Sequence, residues 1–504
     1  MNSLATRPCG QDRKLARRQD RLNCALAVLA LAALAGCASM APSYERPQAP
    51  VPQAYPAPAT AQHGAVAHEL AWREFFTDPV LSRLIETALQ NNRDLRMAIL
   101  RVDEARSAFR IQRGERFPEI GVGGQAARSR VPGDLNTIGQ SVVGGEYRAE
   151  VGLTTWELDL WGRVRSLERS ALESWLATEA ARQAVHVALV AQVANGYLTV
   201  RELDERVQIA RQSVASREES YRIFQRRYEV GSTARLEVTQ VQTLLAQAQS
   251  LLAQLEQQRA AQINALRLLV GGDPGIEPSQ EPFDKTTVLA ELAPGLPSTL
   301  LTSRPDIIAA EHRLLAANAN IGAARAAFFP RIALTGSFGT ASAELGGLFE
   351  SGSKAWAFVP TISLPIFDAG QRQANLELSE VRRDMAVAEY EKAIQNAFRE
   401  VADALAAHHW LRKQLEVQLV GRAAQAERAR LAQLRYDRGS AAYLEVLDAQ
   451  RDLLDVRQQV VQTRRALLSS QIALYSALGG GIDASDSSSQ ADASSQSIKT
   501  SSQQ

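Results

Sequence analysis

The stretch RYDRGSAAYLEV, at Arg435–Val446, decides the fold because nearly the same phrase occurs earlier in the chain. RYEVGSTARLEV occupies Arg227–Val238, and the glycines of the two phrases, Gly231 and Gly439, lie 208 positions apart. The same offset continues without a gap to the glycine pair that ends each copy. The chain therefore consists of two copies of one unit of roughly 200 residues, and a repeat of this kind governs every later assignment.

Two further pairs of segments support the repeat. RGERFPEI ends at Ile120 and RAAFFPRI ends at Ile332, an offset of 212 positions. DLWGRVR and FDAGQRQ share a glycine, at Gly162 and Gly370, again 208 positions apart. We place the two repeats at 70–275 and 276–480.

Each repeat contains a long stretch without proline, which indicates long helices. A proline inside a helix costs about 3 kcal/mol. Helical hairpins are predicted over 163–270 and 371–478, each with a long arm of about 100 Å at 1.5 Å per residue. Gly231 and Gly439 are predicted to form the turns, because glycine adopts the left-handed conformation that other residues resist.

The return arm of the second hairpin shows the packing pattern. Two adjacent apolar stripes repeat every seven residues, which predicts a broad apolar face and a left-handed supercoil. We expect such a face to touch neighbours on two sides, as in the wall of a helical tube. The stripes are Leu447, Leu454, Val461, Leu468 and Tyr475, and Val446, Leu453, Val460, Leu467 and Leu474. Shorter helices are predicted over Val80–Glu115 and Pro305–Ala327.

Four segments alternate in the manner of β-strands, at about 118–130, 146–160, 330–342 and 354–367. The pattern suits strands that span a membrane, but a soluble hairpin would show it as well. Four strands cannot close a barrel, and an open edge cannot lie in lipid. If the strands cross a membrane, three chains give a twelve-stranded barrel with an open bore, whereas two give eight strands and little lumen.

The N-terminus has the pattern of an export signal. A basic start precedes a fourteen-residue apolar run and the sequence LAGC, which ends at Cys37. LAGC resembles a bacterial lipobox, which implies a signal peptide over 1–36 and a lipid on Cys37; an ordinary signal peptide is the alternative. A proline-rich linker is expected within 37–69. Residues 481–504 lack large apolar groups and are predicted to be a disordered tail.

Composition excludes several classes of function. The net charge of +1 leaves no electrostatic footprint for nucleic acid. Two of the three cysteines, Cys9 and Cys24, fall within the predicted signal peptide, so neither a disulfide nor a cysteine metal site is expected. The chain contains no P-loop, zinc motif, dinucleotide fingerprint or nucleophile elbow. We therefore expect no cofactor, no metal and no enzymatic activity.

Five ordered motifs carry a family resemblance: LAGCASMAPSYERP, WELDLWGRVR, GLPSTLLTSRPDIIAAEHRLLAANANIGAARAAFFPRIAL, LPIFDAGQR and RYDRGSAAYLEVLDAQR. With them the chain resembles the outer-membrane factor (TolC-like) family, and within it the OprM-like or NodT-type efflux lipoproteins. The resemblance implies an α+β membrane protein that forms a homotrimer. Four strands per chain would join a shared twelve-stranded barrel, and the helices would form a long periplasmic tube.

The resemblance also implies function and partners. The trimer would be a passive channel in the outer membrane, served by a periplasmic adaptor and an inner-membrane pump of the RND type. Its inner end would be closed by Tyr436, Leu444, Asp448 and Arg451. The first repeat has Gln240 and Thr243 where the second has Asp448 and Arg451, so only one hairpin carries the charged pair. A type I protein-secretion channel and a periplasmic coiled-coil scaffold are the alternatives.

Overall fold

The structure is a computed structural model that describes residues 40–56, 65–66, 70–279, 283, 292–293 and 297–480. The predicted signal peptide, Cys37 and the predicted tail at 481–504 lie outside these residues. Within the described ranges, no helix combines the length and apolar character needed to cross a membrane.

The described chain is mostly helical, as the two hairpins predict. Its helices are α1 (Trp72–Phe75), α2 (Pro79–Asn91), α3 (Arg93–Gly114), α4 (Arg163–Glu229), α5 (Arg235–Val270), α6 (Leu300–Ser303), α7 (Pro305–Ala326), α8 (Gln371–Asp437) and α9 (Tyr443–Ala477). Its strands are β1 (Ala65–Val66), β2 (Ile120–Val131), β3 (Val142–Glu157), β4 (Leu292–Ala293), β5 (Arg331–Ser342) and β6 (Lys354–Ser363). The two long helices, α4 and α8, have 67 residues each.

The chain divides into two compact units. Of the described residues, the first comprises 40–47, Asp103–Ala177 and Glu311–Glu389, and it contains the strands β2, β3, β5 and β6. The second comprises the described residues of Gln48–Val102 and of Thr178–Ala310, together with 390–480. It contains both hairpin turns and, in β1 and β4, a short parallel pair of strands.

The repeated phrase is explained by the way each long helix ends. Gly231 and Gly439 both have left-handed backbones, with φ of 76° and 71°. In each copy the amide of the following serine donates to the carbonyl of the arginine five residues earlier, at 2.8 Å and 2.9 Å. The hydroxyl of the same serine donates to the same carbonyl at 3.0 Å. Arginine, glycine and serine at this spacing form a Schellman cap, which ends one arm and starts the turn.

One predicted helix is divided in the structure. The stretch expected as a single helix over Val80–Glu115 is broken at Asn92 into α2 and α3. The Asn92 side chain accepts from the amide of Leu95 at 2.9 Å and donates to the carbonyl of Leu269 at 2.9 Å. Asparagine is a strong helix N-cap, so this pair of hydrogen bonds starts a new helix and ties it to the end of α5.

The apolar stripes of α9 find partners within the same chain. Val446 packs with Ala432 of α8, and Leu447 packs with Phe224 of α4 and Val241 of α5. At these two positions the face touches neighbours on two sides, and both neighbours are helices of the same chain.

The first unit is built around a four-stranded antiparallel sheet in the order β2-β3-β5-β6. β3 begins at Val142, earlier than the expected 146, because its first residues pair with the end of β2. It ends at Glu157, and two residues later Asp159 accepts from the amides of Val164 and Arg165 and starts α4. β6 stops at Ser363, short of the expected 367; Pro365 follows, and proline has no amide to donate to a ladder.

Residues 40–56 of the proline-rich segment contain neither helix nor strand, and they are packed against helices. In the first unit, Arg46 forms two hydrogen bonds of 2.8 Å with the carboxylate of Glu311, which also accepts from Tyr44 at 2.9 Å. In the second unit, the ring of Tyr55 stacks on that of Phe398 at 5.1 Å. The expectation of a plain linker was incomplete, because these side chains fasten the segment to the folded body.

Candidate functional site

The four predicted gate residues lie beside the turn of the second hairpin. Tyr436 lies in the last turn of α8, and Leu444, Asp448 and Arg451 lie in the first turns of α9. An Arg451 Nη1 to Asp448 Oδ1 distance of 3.4 Å confirms that the two charges share one face of the helix. Both side chains are about half exposed, so they remain available to a neighbouring chain.

A third charged residue, Asp452, completes this cluster and was not predicted from the sequence. Its carboxylate accepts from Arg428 Nη1 of α8 at 2.6 Å and lies 3.1 Å from Arg451 Nη2. The Arg428 guanidinium and, after it, that of Arg451 lower the pKa of Asp452 below its ordinary value. Asp452 thus joins α9 both to α8 and to the predicted gate pair.

The aromatic side chains at the hairpin ends form a second cluster. Tyr436 lies 4.8 Å from Tyr443 between ring centroids, and Tyr443 lies 4.5 Å from Phe224 of α4. The Tyr443 hydroxyl donates to Ser220 Oγ at 2.5 Å, and burial raises the pKa of Tyr443. Arg227 of the first hairpin donates to the hydroxyl of Tyr436. The ends of the two hairpins are therefore joined through Tyr436, which was predicted, and through four residues that were not: Phe224, Ser220, Arg227 and Tyr443.

Leu444 has the opposite environment. Its side chain is 51% exposed, whereas Val446 and Leu447 are almost completely buried. An exposed leucine beside two buried neighbours points away from the protomer. This placement leaves the Leu444 side chain available for contact with another chain.

The sheet of the first unit presents a second candidate surface. One row of paired residues crosses all four strands and is exposed throughout: Val122, Val151, Phe338 and Trp356. The next row contains only small residues: Gly121, Gly152, Ser337 and Ala357. Because neighbouring residues of a strand point to opposite faces, the apolar row and the row of small residues lie on opposite faces of the sheet. The face with the small row also carries Gln125, Arg148 and Glu150 in the rows that follow.

The described residues offer no place for a catalytic metal. Within the described ranges, no group of three or more His, Cys, Asp or Glu side chains could hold a metal ion. The ionisable groups near the hairpin ends are instead paired with one another across helices. Such ion pairs hold two helices together, and breaking them lets the helices separate.

Comparison with known proteins gives consistent results across the chain. The family described as "Outer membrane efflux protein" matches residues 84–272 and 296–480. Outer membrane protein OprJ of Pseudomonas aeruginosa is 43% identical over 459 residues, which cover 91% of this chain and 96% of OprJ. The solvent efflux pump outer membrane protein SrpC of Pseudomonas putida is 45% identical over 464 residues, 90% of this chain and 98% of SrpC.

Solved structures give the same result for the fold. The open state of the Neisseria gonorrhoeae MtrE outer membrane channel superimposes with a TM-score of 0.81 at 36% identity. The match covers 88% of this chain and 98% of the MtrE chain. The two matched segments of the family coincide with the two halves of the chain in which the repeated phrases occur.

Proposed function

The chain belongs to the outer membrane efflux protein family, and from this premise we propose that it is the outer-membrane channel of a tripartite efflux system. The channel is a passive exit duct for small molecules. SrpC is named for a solvent efflux pump, and this likeness favours small organic solvents among the exported compounds. An inner-membrane pump of the RND type and a periplasmic adaptor supply substrate and energy.

The apolar row across the sheet is the observation that carries this proposal. Val122, Val151, Phe338 and Trp356 are exposed together on one face. Such a face is unfavourable in water and favourable in the hydrocarbon of a membrane. The opposite face, which carries small residues together with Gln125, Arg148 and Glu150, suits the lining of a water-filled bore.

The open edges of the sheet favour a homotrimer. Within the described chain, β2 pairs only with β3 and β6 only with β5, which leaves one edge of each unpaired. Unpaired backbone groups cannot remain in lipid, so each edge requires a strand of another chain. Three chains supply twelve strands, which close a barrel and leave an open bore. Native mass spectrometry of the detergent-solubilised protein tests this proposal, and a monomer would contradict it.

A lipid on Cys37 anchors the chain to the outer membrane in addition to the membrane-embedded sheet. LAGC follows a fourteen-residue apolar run, and acyl chains contribute about 0.8 kcal/mol per buried methylene. Mass spectrometry of the N-terminal peptide tests this proposal, which an unmodified Cys37 would contradict. Because the sheet is itself membrane-embedded, Cys37→Ala with a replacement signal peptide should still insert.

Conductance tests the function directly. The purified protein, added to a planar lipid bilayer, should produce discrete conductance steps without any energy source. In cells that lack their own outer-membrane efflux channel, the chain should lower the accumulation of a fluorescent pump substrate when pump and adaptor are present. A folded, membrane-inserted protein that conducts no ions and restores no efflux would contradict the proposal.

We further propose that the end of the second hairpin is the gate. Asp448 and Arg451 are half exposed, and Leu444 points away from its own protomer. Around a threefold axis these side chains meet their copies. Ion pairs strengthen where a constriction excludes water, so the closed gate is held by contacts between chains in addition to those described within one chain.

A further inference from the structure

The sheet face that carries the apolar row, here called the apolar face, ends in basic side chains. The neighbouring rows of this face follow from the strand pairing, because every second residue of a strand points to the same side. Beyond the apolar row lie the row of Gly124, Ala149, Thr340 and Lys354, the row of Ala126, Tyr147 and Ser342, and the pairs Arg128–Gly145 and Arg130–Val143. The apolar face therefore changes from large apolar residues to cations along its strands.

Within these rows, every charged residue of the apolar face is a cation. Arg128, Arg130 and Lys354 are all exposed. The acids of β3 at the same level, Glu146 and Glu150, lie on the opposite face, where Glu146 is paired with Arg148. Among the described ion pairs, none joins one of the three cations to an acid. Their charge is thus left for a ligand from outside the chain.

The basic end of the sheet is the end that carries the loops. All four connections to long helices leave from the other end, at Ile120, Glu157, Arg331 and Ser363. Two loops, residues 132–141 and 343–353, join the strands at the basic end. Since the family places the helices in the periplasm, the basic end of the sheet lies on the side of the outer leaflet.

Lys354 and Arg128 fit one boundary of the membrane. Arg128 lies four residues beyond the row of Lys354, which is about 14 Å along the strand, and the three strand spacings between β6 and β2 are also about 14 Å. The two cations therefore reach the same depth when the strands are tilted by about 45° in the sense that raises Lys354, and strands of membrane barrels are tilted by about 35–45°. The cations follow one level of the membrane and not one row of the sheet.

Tyr147 lies between the apolar row and the two arginines. A Cβ placed on Gly145, the partner of Arg128, would lie 3.4 Å from Cε2 of the Tyr147 ring, so the ring leans toward the arginines. Aromatic residues mark the interfaces of membrane barrels, and a cation on the lipid face costs least at such an interface. There the stem of an arginine covers hydrocarbon while its guanidinium reaches the headgroups.

We infer that Arg128, Arg130 and Lys354 bind the phosphate groups of the glycolipid in the outer leaflet. A guanidinium binds phosphate through two parallel hydrogen bonds, and a face without acids does not repel it. A lipid fits better than phosphate from solution, because the cations continue the face that meets acyl chains and one molecule then contacts both. The inference rests on the proposed insertion of the sheet into the membrane.

The proposed trimer brings the three cations to one seam. β6 of one chain lies beside β2 of the next, so Lys354 of one chain and the two arginines of its neighbour border the same junction. A glycolipid bound there contacts two chains and stabilises their association. Binding should therefore raise the melting temperature of the assembly, because a ligand that binds only the folded state stabilises it.

Native mass spectrometry of the detergent-solubilised protein tests the binding, with lipid A, the diphosphorylated anchor of lipopolysaccharide, as the probe. Arg128→Gln and Arg130→Gln should each weaken binding about fivefold, and the triple variant with Lys354→Gln about a hundredfold. Arg128→Lys/Arg130→Lys should retain most of the binding, which shows that charge at these positions is sufficient. Arg148→Gln, on the opposite face, is the matched control and should bind lipid A like the parent. Equal binding by the parent and the triple variant would overturn the inference.

Two further ligands identify what is recognised. Lipid A without its phosphates should bind the parent as weakly as intact lipid A binds the triple variant, and equal binding of both lipids would refute a phosphate site. Inorganic phosphate should displace no more lipid A than sodium chloride of the same ionic strength does. Greater displacement would mean that the cations take phosphate from solution, and the assignment to a lipid would be lost.

A depth measurement separates this inference from the proposed function. Fluorophores attached to Val122→Cys, Arg128→Cys and Lys354→Cys are exposed to lipids that carry a quencher at known depths. Val122→Cys should be quenched from deep within the bilayer, and the other two should report one shared depth near the headgroups. If Val122→Cys is not quenched, the proposed insertion fails. If it is quenched while lipid A binds without regard to the cations, insertion stands and only the glycolipid site is refuted.

Discussion

Arg428 and Asp452 lie on opposite arms of the second hairpin, each twelve positions from Ser440, and their charged groups are 2.6 Å apart. Because antiparallel arms bring residues at equal distances from the turn side by side, this pair measures the register of the hairpin. Asp452 also contacts Arg451, so the pair connects α8 to the predicted gate. A movement of the start of α9 must therefore either break the Arg428–Asp452 ion pair or move α8 as well.

Neutralising this pair should loosen the hairpin end. We expect Arg428→Met and Asp452→Asn to increase the resting conductance of the reconstituted channel, because Arg451 and the start of α9 lose their connection to α8. The assembly should remain intact, since both side chains are partly exposed. Arg430→Met, which removes an exposed ion pair within α8, is the matched control. Equal conductance of all variants and the parent would show that the pair does not influence the gate.

The same pair predicts a pH dependence. The pKa of Asp452 is held below its ordinary value, first by Arg428 and then by Arg451. The stabilisation is therefore complete above the ordinary aspartate value of about 3.9 and is lost only as pH falls through the lowered value. Resting conductance should stay level from neutral pH to about 4 and rise below it. Asp452→Asn should abolish the rise in resting conductance at low pH. A rise with a midpoint near pH 6 would contradict the assignment of this response to Asp452.

The gate pair itself should respond unequally to alanine. Arg451 contacts both Asp448 and Asp452, whereas Asp448 contacts Arg451 alone among described ion pairs. Within one protomer, exposed ion pairs of this kind change the equilibrium between a closed and an open gate by less than about fivefold. We therefore expect Arg451→Ala to raise resting conductance more than Asp448→Ala does. An increase far above fivefold would be evidence for contacts between chains, and Gln240→Ala and Thr243→Ala should have little effect.

The apolar row of the sheet makes a prediction about insertion. Phe338→Arg places a charge on the face proposed to meet lipid, where arginine costs about 2–4 kcal/mol at the membrane midplane. Ser337→Arg places the same charge one residue away on the opposite face. Folding into phospholipid vesicles, followed by the heat-dependent shift in gel mobility, should fail for Phe338→Arg and proceed for Ser337→Arg. If both variants insert equally, this face does not contact lipid.

Two glycines of the second repeat should differ in their tolerance of alanine. Both are left-handed, with φ of 71° at Gly439 and 80° at Gly479. A Cβ at Gly439 meets open space, so Gly439→Ala carries only the conformational cost of about 1 kcal/mol. A Cβ at Gly479 would lie 2.5 Å from the carbonyl oxygen of Ser303. The melting temperature of the assembly should fall more for Gly479→Ala, and equal falls would contradict the described packing.

The local features of this protein were accessible from its sequence. The hairpin turns could be located because glycine followed by serine makes a Schellman cap from neighbouring residues alone. The strands could be located because alternation with a period of two is a local property, although β3 and β6 differ from their expected ends by up to four residues. The family resemblance pointed to Tyr436, Leu444, Asp448 and Arg451, and their role in a gate stays a prediction.

Contacts between distant parts of the chain were decided only by the tertiary structure. The end of α2 depends on Asn92 reaching Leu269, 177 residues away. Of the apolar stripes of α9, Val446 packs against α8, and Leu447 packs against α4 and α5 of the same chain. Arg428 and Asp452 were detectable in principle from their equal distance to the turn. The burial of Arg217 of α4, which is only 4% exposed, was not detectable. A sequence contains no record of how far a helix is rotated about its axis, and that rotation determines which charged side chains are buried.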